Sequence, residues 1–157
     1  MAHITKMESQ VDVKSSAESF YQIFRNKQYD LPKMCSNLIR DVQLIKGDWE
    51  SVGSTRKWIF APADNSFPSE HHIIRVEAID DKNKSMTINV IDGELKKLYN
   101  SYTFTIQAID KGDGSGSVMK TIVECEKKNE DVPDPTKYFD FADICYKTMD
   151  AYFINNA

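Results

Sequence analysis

The sequence lacks an excess of positive charge and any long apolar run. There are 20 lysine and arginine residues against 24 aspartate and glutamate residues, for a formal net charge of −4. Nucleic-acid-binding domains and proteins of anionic membrane surfaces concentrate basic residues, so neither nucleic acid nor such a surface is predicted as a partner. No apolar run approaches the ~20 residues that span a bilayer, which argues against stable membrane insertion. Because residues 1–10 also lack the apolar stretch of a signal peptide, we expect a cytoplasmic protein.

Cysteine is scarce, and sequence motifs for metal or nucleotide chemistry are missing. The three cysteines, Cys35, Cys125 and Cys145, are odd in number and have no CxxC spacing, so we expect free buried thiols instead of disulfides or a zinc site. The segment 47–54 lacks the Gly-Lys-Ser/Thr ending of a phosphate loop, and GxSxG, HExxH and EF-hand patterns do not occur. We therefore predict no metal site and no cofactor.

The length of 157 residues, with 41% hydrophobic and 28% charged residues, is typical of one globular domain. At this length a compact chain buries roughly 70% of the surface that it exposes when unfolded. A core or an internal cavity can then form without metal or disulfide support. We predict a single domain over residues 1–157.

The first third of the chain predicts one strand and two short helices. Residues 2–13 alternate weakly as on a half-solvated strand, and Ser15 with Glu18 three residues later is typical of a capping box before a helix. A second short helix is predicted at 30–35, with Pro32 in its first turn.

The rest of the chain predicts strands and one long helix. Six β-type segments follow Leu38, separated by turns that include 62–68 and the glycine-rich 110–116. Residues 136–154 contain neither glycine nor proline, and apolar residues recur there at spacings of three and four, which predicts an amphipathic helix. We therefore predict an α+β domain in which a curved seven-stranded antiparallel sheet and the last helix enclose a concavity. The helical stripe consists of Tyr138, Phe141, Ala142, Cys145, Met149 and Tyr152.

Alternation along the predicted strands places aromatic, aliphatic and polar side chains together on the concave face. In residues 98–109 apolar and polar side chains alternate sharply, and the same parity places Asn100 inside. Inward polar groups among aromatic ones are typical of a small-molecule pocket. The predicted ligand-binding residues are Arg56, Trp58, Phe60, His72, Ile74, Met86, Ile88, Val90, Asn100, Tyr102, Phe104, Phe141, Cys145 and Met149.

The strand at 117–125 has apolar atoms on both faces, so the sequence leaves its orientation open. One choice turns Lys120 and Glu124 inward. Together with His72, which ordinarily titrates near neutral pH, they would then be candidates for acid–base catalysis. The alternative is that His72 is a satisfied interior histidine and that Lys120 faces solvent. Asp150 on the last helix is predicted to be a solvated charge.

Several stretches are specific enough to resemble a known family. They are Leu31-Pro32-Lys33, Lys46-Gly47-Asp48, Gly53-Ser54, Val90-Ile91-Asp92-Gly93-Glu94, Gly116-Ser117-Val118, and 124–131 followed by Pro133. With the order of elements over nearly the whole chain, they resemble the plant major latex protein-like group. This group belongs to the birch pollen allergen, or pathogenesis-related class 10, superfamily.

The resemblance implies a helix-grip fold with two short helices after the first strand and a large internal cavity. Members of the superfamily bind hydrophobic or amphipathic plant ligands such as hormones, steroids, flavonoids and alkaloids, and some relatives in alkaloid pathways are enzymes. A ribonuclease activity proposed for some relatives invokes two glutamates and a tyrosine. Asp150 and Tyr152 match the helix positions, but Lys96 or Lys97 occupies the strand position. The missing carboxylate argues against ribonuclease activity here.

Two functions follow from these expectations. The first is binding or carriage of a small hydrophobic metabolite, linked to defence or stress response, by a monomer or weak dimer. The alternative is a cofactor-independent enzyme that uses His72, Lys120 or Glu124 for isomerisation or cyclisation in the same pocket. A third, a protein-interaction module, needs an exposed apolar patch that the sequence does not clearly mark. The identity of the ligand stays open.

Overall fold

The computed structural model describes residues 3–61 and 70–157, so the loop predicted at 62–68 lies outside the described residues. The sequence predicts the seven strands and three of the four α-helices, whereas the four-residue helix at Leu95–Leu98 is an addition. In chain order the elements are β1 (His3–Val13), α1 (Ala17–Asn26), a 3-10 turn (Gln28–Asp30), α2 (Leu31–Met34), β2 (Ile39–Lys46), β3 (Thr55–Phe60), β4 (His71–Asp80), β5 (Ser85–Gly93), α3 (Leu95–Leu98), β6 (Tyr99–Asp110), β7 (Ser117–Lys127) and α4 (Thr136–Asn155).

The seven strands form one antiparallel sheet in the order β1-β7-β6-β5-β4-β3-β2, so β1 and β2 lie at its edges. Register shifts interrupt the pairing of β2 with β3, of β4 with β5 and of β6 with β7. Such bulges bend strands and increase their twist, which curves the sheet. The long helix α4 packs against β1, β7 and α2, while α1 packs against β5, β6 and β7. The predicted α+β helix-grip architecture is confirmed.

The first helix begins one residue later than the capping box predicts. Ser16, not Ser15, is the N-cap of α1, and its hydroxyl oxygen accepts a hydrogen bond from the Ser19 amide at 3.2 Å. This bond satisfies one of the amides that a helix start leaves without an intrahelical partner. The apolar face of α1, which includes Phe20 and Phe24, is buried in the core.

The Asp150 carboxylate is buried, not solvated as the sequence predicts. Its side chain on α4 accepts hydrogen bonds from the Lys14 amide at 2.8 Å and the Ser15 amide at 2.9 Å. Both amides belong to the turn between β1 and α1. The carboxylate therefore joins the last helix to a turn more than 130 positions earlier in the chain.

All three cysteines are free and buried, as predicted. The Cys35 thiol, just after α2, lies 3.8 Å from the Cys145 carbonyl oxygen on α4. Within the described ranges, no helix has the length and apolar character needed to cross a bilayer.

Candidate ligand-binding cavity

An internal cavity lies between the inner face of the sheet and α4. Its volume is about 90 Å³, whereas small-molecule sites commonly measure about 300–1,000 Å³. The cavity is therefore smaller than the large one that the family resemblance implies, because aromatic side chains fill much of the space. Its lining consists of Phe24, Leu31, Ile39, Trp58, Phe60, His72, Leu95, Tyr102, Phe104, Ile106, Thr121, Val123, Tyr138, Phe139, Phe141, Ala142, Cys145, Tyr146 and Met149.

Eight of the predicted ligand-binding residues lie together in this lining. Strands β3, β4 and β6 supply five of them through their inward alternation, and α4 supplies three through its helical stripe. Their role in binding a ligand stays a prediction. They are Trp58, Phe60, His72, Tyr102, Phe104, Phe141, Cys145 and Met149.

Four predicted aliphatic residues face inward without lining the cavity. All four are fully buried. Three of them lie on β5, against which α1 packs, and Ile74 pairs with Val90 from the neighbouring strand β4, so this part of the inner face is closed core. Strand parity could not reveal which stretch of the inner face a helix would cover. The four residues are Ile74, Met86, Ile88 and Val90.

Asn100 is exposed, so the prediction that it faces the cavity is wrong. The pairing of β6 with β7 shifts between Tyr99 and Ser101, and both Asn100 and Ser101 then point outward. Tyr102 returns to the inner face. A bulge adds one residue without alternation, and the sequence reading assumed strict alternation from residue 98.

Lys120 and Glu124 lie on the outer face of β7, which contradicts the orientation that would make them catalytic. The buried residues of this strand include Thr121 and Val123. Lys120 forms an ion pair with Glu8 at 3.4 Å, and Glu124 forms one with Lys6 at 3.6 Å. Water and the neighbouring strand β1 thus satisfy both charges, which spares the cost of burying them.

Arg56 is fully buried, with 0% of its surface exposed, but it does not line the cavity. It lies on the inner face of β3, where its Nη2 donates a hydrogen bond to the Asp48 carbonyl oxygen at 3.1 Å. The Trp49 ring covers the guanidinium at 5.5 Å. Burial lowers the pKa of Arg56, and the Asp48 carboxylate opposes that shift.

The sequence reading missed 11 lining residues. Tyr138 and Ala142 were already in the predicted helical stripe, and Thr121 and Val123 follow from the other orientation of β7. Ile106 continues the inward alternation of β6. The rest reach the cavity through tertiary packing of α1, α2, α3 and the start of β2, or through a wider inner face of α4. The missed residues are Phe24, Leu31, Ile39, Leu95, Ile106, Thr121, Val123, Tyr138, Phe139, Ala142 and Tyr146.

Residues 2–156 match the sequence model of the pathogenesis-related protein Bet v 1 family. The chain belongs to this family. The curved sheet, the two short helices after β1 and the long terminal helix are the helix-grip fold of that family. The family resemblance read from the sequence is thereby confirmed.

The chain resembles plant major latex-like members of the Bet v 1 family. MLP-like protein 34 of Arabidopsis thaliana is 34% identical over 148 residues, which cover 94% of this chain and 46% of that protein. MLP-like protein 31 of the same plant is 31% identical over 150 residues, covering 96% of this chain and 86% of that one. The chain thus spans about half of one relative and most of the other. The crystal structure of ginseng major latex-like protein 151 from Panax ginseng has a TM-score of 0.86 at 27% identity, covering 96% of this chain and 97% of that one.

In this Bet v 1 family member, His72 is the side chain of the described cavity lining whose ordinary pKa lies closest to neutral pH. Its ring packs edge-on against Phe60, with 4.7 Å between ring centroids, and lies 6.5 Å from the Tyr138 ring. Its Nδ1 is 3.1 Å from the His71 carbonyl oxygen, so the neutral tautomer with the proton on Nδ1 donates there. Burial lowers the pKa of His72 to about 3. The ring is therefore neutral at physiological pH and a weak proton acceptor.

The other polar groups of the cavity lining are neutral hydroxyl groups, the Trp58 indole N–H and the Cys145 thiol. The Tyr146 and Thr121 hydroxyls lie 2.8 Å apart and share a hydrogen bond. Burial raises the pKa of Tyr102 well above its ordinary value, so this phenol stays protonated. No side chain that lines the cavity in the described part of the chain is charged at neutral pH. The interior thus accepts apolar surface and neutral hydrogen-bonding groups.

The low pKa of His72 predicts a specific loss of stability in acid. Between pH 6.5 and about 3 the unfolded state binds a proton that the native state excludes, so stability falls as the pH is lowered through this window. At 1.36 kcal/mol per pH unit, lowering the pH from 6.5 to 4.5 should remove about 2 to 3 kcal/mol through this residue. Urea unfolding across that range should show a shallower pH dependence in His72→Gln than in the wild type.

His71 provides the matched control for this prediction. It is the adjacent residue on the opposite face of β4 and is only half-buried. His71→Gln should retain the wild-type slope between pH 6.5 and 4.5. Equal slopes in His72→Gln and the wild type would show that the His72 pKa is not lowered.

Proposed function

We propose that this protein binds a small, largely apolar metabolite in the internal cavity and carries or sequesters it. The observation that carries the proposal is the lining of aromatic and aliphatic side chains with neutral polar groups at a few points. Membership of the Bet v 1 family supports the same function. The occupant that we propose is a plant hormone, steroid, flavonoid or alkaloid, and the setting is a cytoplasmic defence or stress response by a monomer or weak dimer.

The size of the cavity indicates that binding is coupled to movement of the wall. At about 90 Å³, the space is below that of a typical drug-sized site. The aromatic contacts on the helix side are edge-on, such as Phe60 with Phe141 at 5.4 Å between centroids. Rotamer changes at these rings would enlarge the space. A ligand that buries about 300 Å² of apolar area would gain roughly 7 kcal/mol before the costs of association and rearrangement, so we expect micromolar affinity.

Filling the cavity should block binding. Ala142 lines it from α4, and Ala142→Phe should weaken binding of the neutral fluorescent probe N-phenyl-1-naphthylamine by at least tenfold, because the new ring takes the space of the ligand. The matched control is Ala151→Phe, which places the same ring on the exposed side of the same helix. Fluorescence titration should give saturable one-to-one binding for the wild type and for Ala151→Phe.

Two outcomes would contradict the proposed function. One is an absence of saturable probe binding by the folded wild type. The other is equal affinity in Ala142→Phe and the wild type, with both proteins giving the same far-ultraviolet circular dichroism. The second outcome would place the probe outside the cavity.

The enzymatic alternative receives less support from the placement of its residues. Acid–base catalysis in this pocket would need at least two of His72, Lys120 and Glu124 to converge on one ligand. Only His72 lies at the cavity, and its pKa of about 3 is far from the value that suits a general base at neutral pH. Mass spectrometry of the ligand after incubation separates the alternatives, since conversion beyond one equivalent of protein would demonstrate turnover.

A further inference from the structure

The guanidinium of Arg56 is a buried cation with incomplete hydrogen bonding. None of its surface is exposed, and only Nη2 has a partner, the Asp48 carbonyl oxygen. Nε and Nη1 have no hydrogen-bond partner among the described residues. An arginine carries five N–H donors, and burying unpaired donors on a charged group is costly.

The nearby Asp48 carboxylate does not accept a hydrogen bond from the Arg56 guanidinium. Asp48 acts on Arg56 electrostatically, but its Oδ1 accepts hydrogen bonds from the Glu50 amide at 2.9 Å and the Ser51 amide at 2.8 Å, and its Oδ2 accepts one from the Ser51 hydroxyl at 3.0 Å. No ion pair joins Arg56 to a carboxylate in the described part of the chain. The Trp49 face offers a cation–π contact, which satisfies no N–H donor. The site is therefore short of an anion.

Arg56 lies on the same inner strand face as a residue of the cavity wall. Arg56 and Trp58 share the inner face of β3, and two residues along a strand span about 7 Å. Trp58 lines the cavity, and its Nε1 donates to the Gln28 Oε1 at 3.1 Å. The cavity must enlarge to hold an ordinary ligand. Displacement of the Trp58 ring would enlarge the cavity along β3, toward the Arg56 guanidinium.

We infer that Arg56 is the internal anion site of this cavity and that it binds the carboxylate of an otherwise apolar ligand whose body occupies the cavity. This inference rests on the proposed function and narrows its ligand class to apolar carboxylic acids. The carboxylate supplies the acceptors that Nε and Nη1 lack, and charge-assisted hydrogen bonds of this kind are about twice as strong as neutral ones. The apolar lining holds the remainder of the molecule.

The test uses two probes of nearly the same shape, 1-naphthaleneacetate and 1-naphthaleneacetamide, which share the naphthyl group and carry an anionic carboxylate or a neutral amide. Isothermal titration of the wild type at pH 7.5 should show the acid binding at least tenfold more tightly than the amide. In Arg56→Gln this preference should disappear, while the affinity for the amide stays within about threefold. Arg56→Lys should retain only part of the preference, since an ammonium group does not reproduce the guanidinium fork.

Arg75→Gln is the matched control, because Arg75 lies in the neighbouring strand β4, is exposed and pairs with Glu77. It should keep the full preference for the acid. Equal affinities for the two probes in the wild type would overturn the inference and indicate that water alone satisfies Arg56. A uniform loss of both affinities in Arg56→Gln would overturn it as well.

If Arg56→Gln fails to fold, the affinities of the wild type for the two probes still test the inference. Binding of the amide without a preference for the acid contradicts the anion site and leaves the proposed function intact. Binding of neither probe contradicts the proposed function, and the inference falls with it.

Discussion

Replacing Gly116 with alanine is expected to destabilise the protein by about 3 to 5 kcal/mol, because two independent costs act at this position. Its φ of +127° lies in a region that side-chain-bearing residues rarely adopt. A Cβ there would overlap the Val13 carbonyl oxygen and lie 3.0 Å from the Lys14 Cα. Backbone atoms at the end of β1 cannot yield as a flexible side chain would. Urea unfolding should show the loss as a lower midpoint.

Gly114→Ala separates the steric cost from the conformational one. Gly114 lies in the same turn with a φ of +80°, but a Cβ there would meet nothing within 4 Å. We expect a loss of only about 1 kcal/mol, the ordinary cost of a left-handed conformation. Similar losses in the two variants would show that β1 does not approach Gly116 as closely as described.

Removing the Asp150 carboxylate is expected to cost about 3 kcal/mol, because Asp150→Ala leaves the Lys14 and Ser15 amides without an acceptor. The carboxylate is only 9% exposed, so water would replace it poorly. Burial by itself would raise its pKa, but the hydrogen bonds from these amides prevail and lower it. The stabilisation is therefore complete at neutral pH and is lost as the pH falls through the lowered pKa.

Asp140→Ala is the control for this carboxylate, since Asp140 lies on the exposed side of the same helix. Its effect on the free energy of unfolding should stay within about 0.5 kcal/mol. Asp150→Asn should fall between the two, because an amide has one acceptor oxygen where the carboxylate has two. Equal stability of Asp150→Ala and Asp140→Ala would show that the turn between β1 and α1 does not need this acceptor.

The two predictions concern the same junction of the fold. Gly116 and Asp150 both contact the chain at residues 13–15, where β1 ends and α1 approaches. The Ser117 hydroxyl also donates to the Ser15 carbonyl oxygen at 2.7 Å. The strand pair β1–β7 and the helix α4 are thus joined at residues 13–15, and the role of this junction is structural.

The architecture and much of the cavity follow from patterns within single segments of the chain. Alternation in β3 and β6 identified Trp58, Phe60, Tyr102 and Phe104, since a strand with one buried face repeats every two residues. Spacing in α4 identified Phe141, Cys145 and Met149 for the corresponding helical reason. Both patterns depend only on residues that are close in sequence, so the sequence alone predicts them.

Other features depend on contacts between distant segments and became visible in the folded chain. Strand β7 has apolar atoms on both faces, and its pairing with β1 placed Lys120 and Glu124 outside. A bulge turned Asn100 outward, and the packing of α1 closed the inner face of β5. The sequence shows that Asp150 is an acidic residue of the last helix, but not whether its carboxylate is solvated or buried. Its oxygens accept hydrogen bonds from amides more than 130 residues away. Such roles arise from long-range contacts, and the periodicity of a single segment cannot encode them.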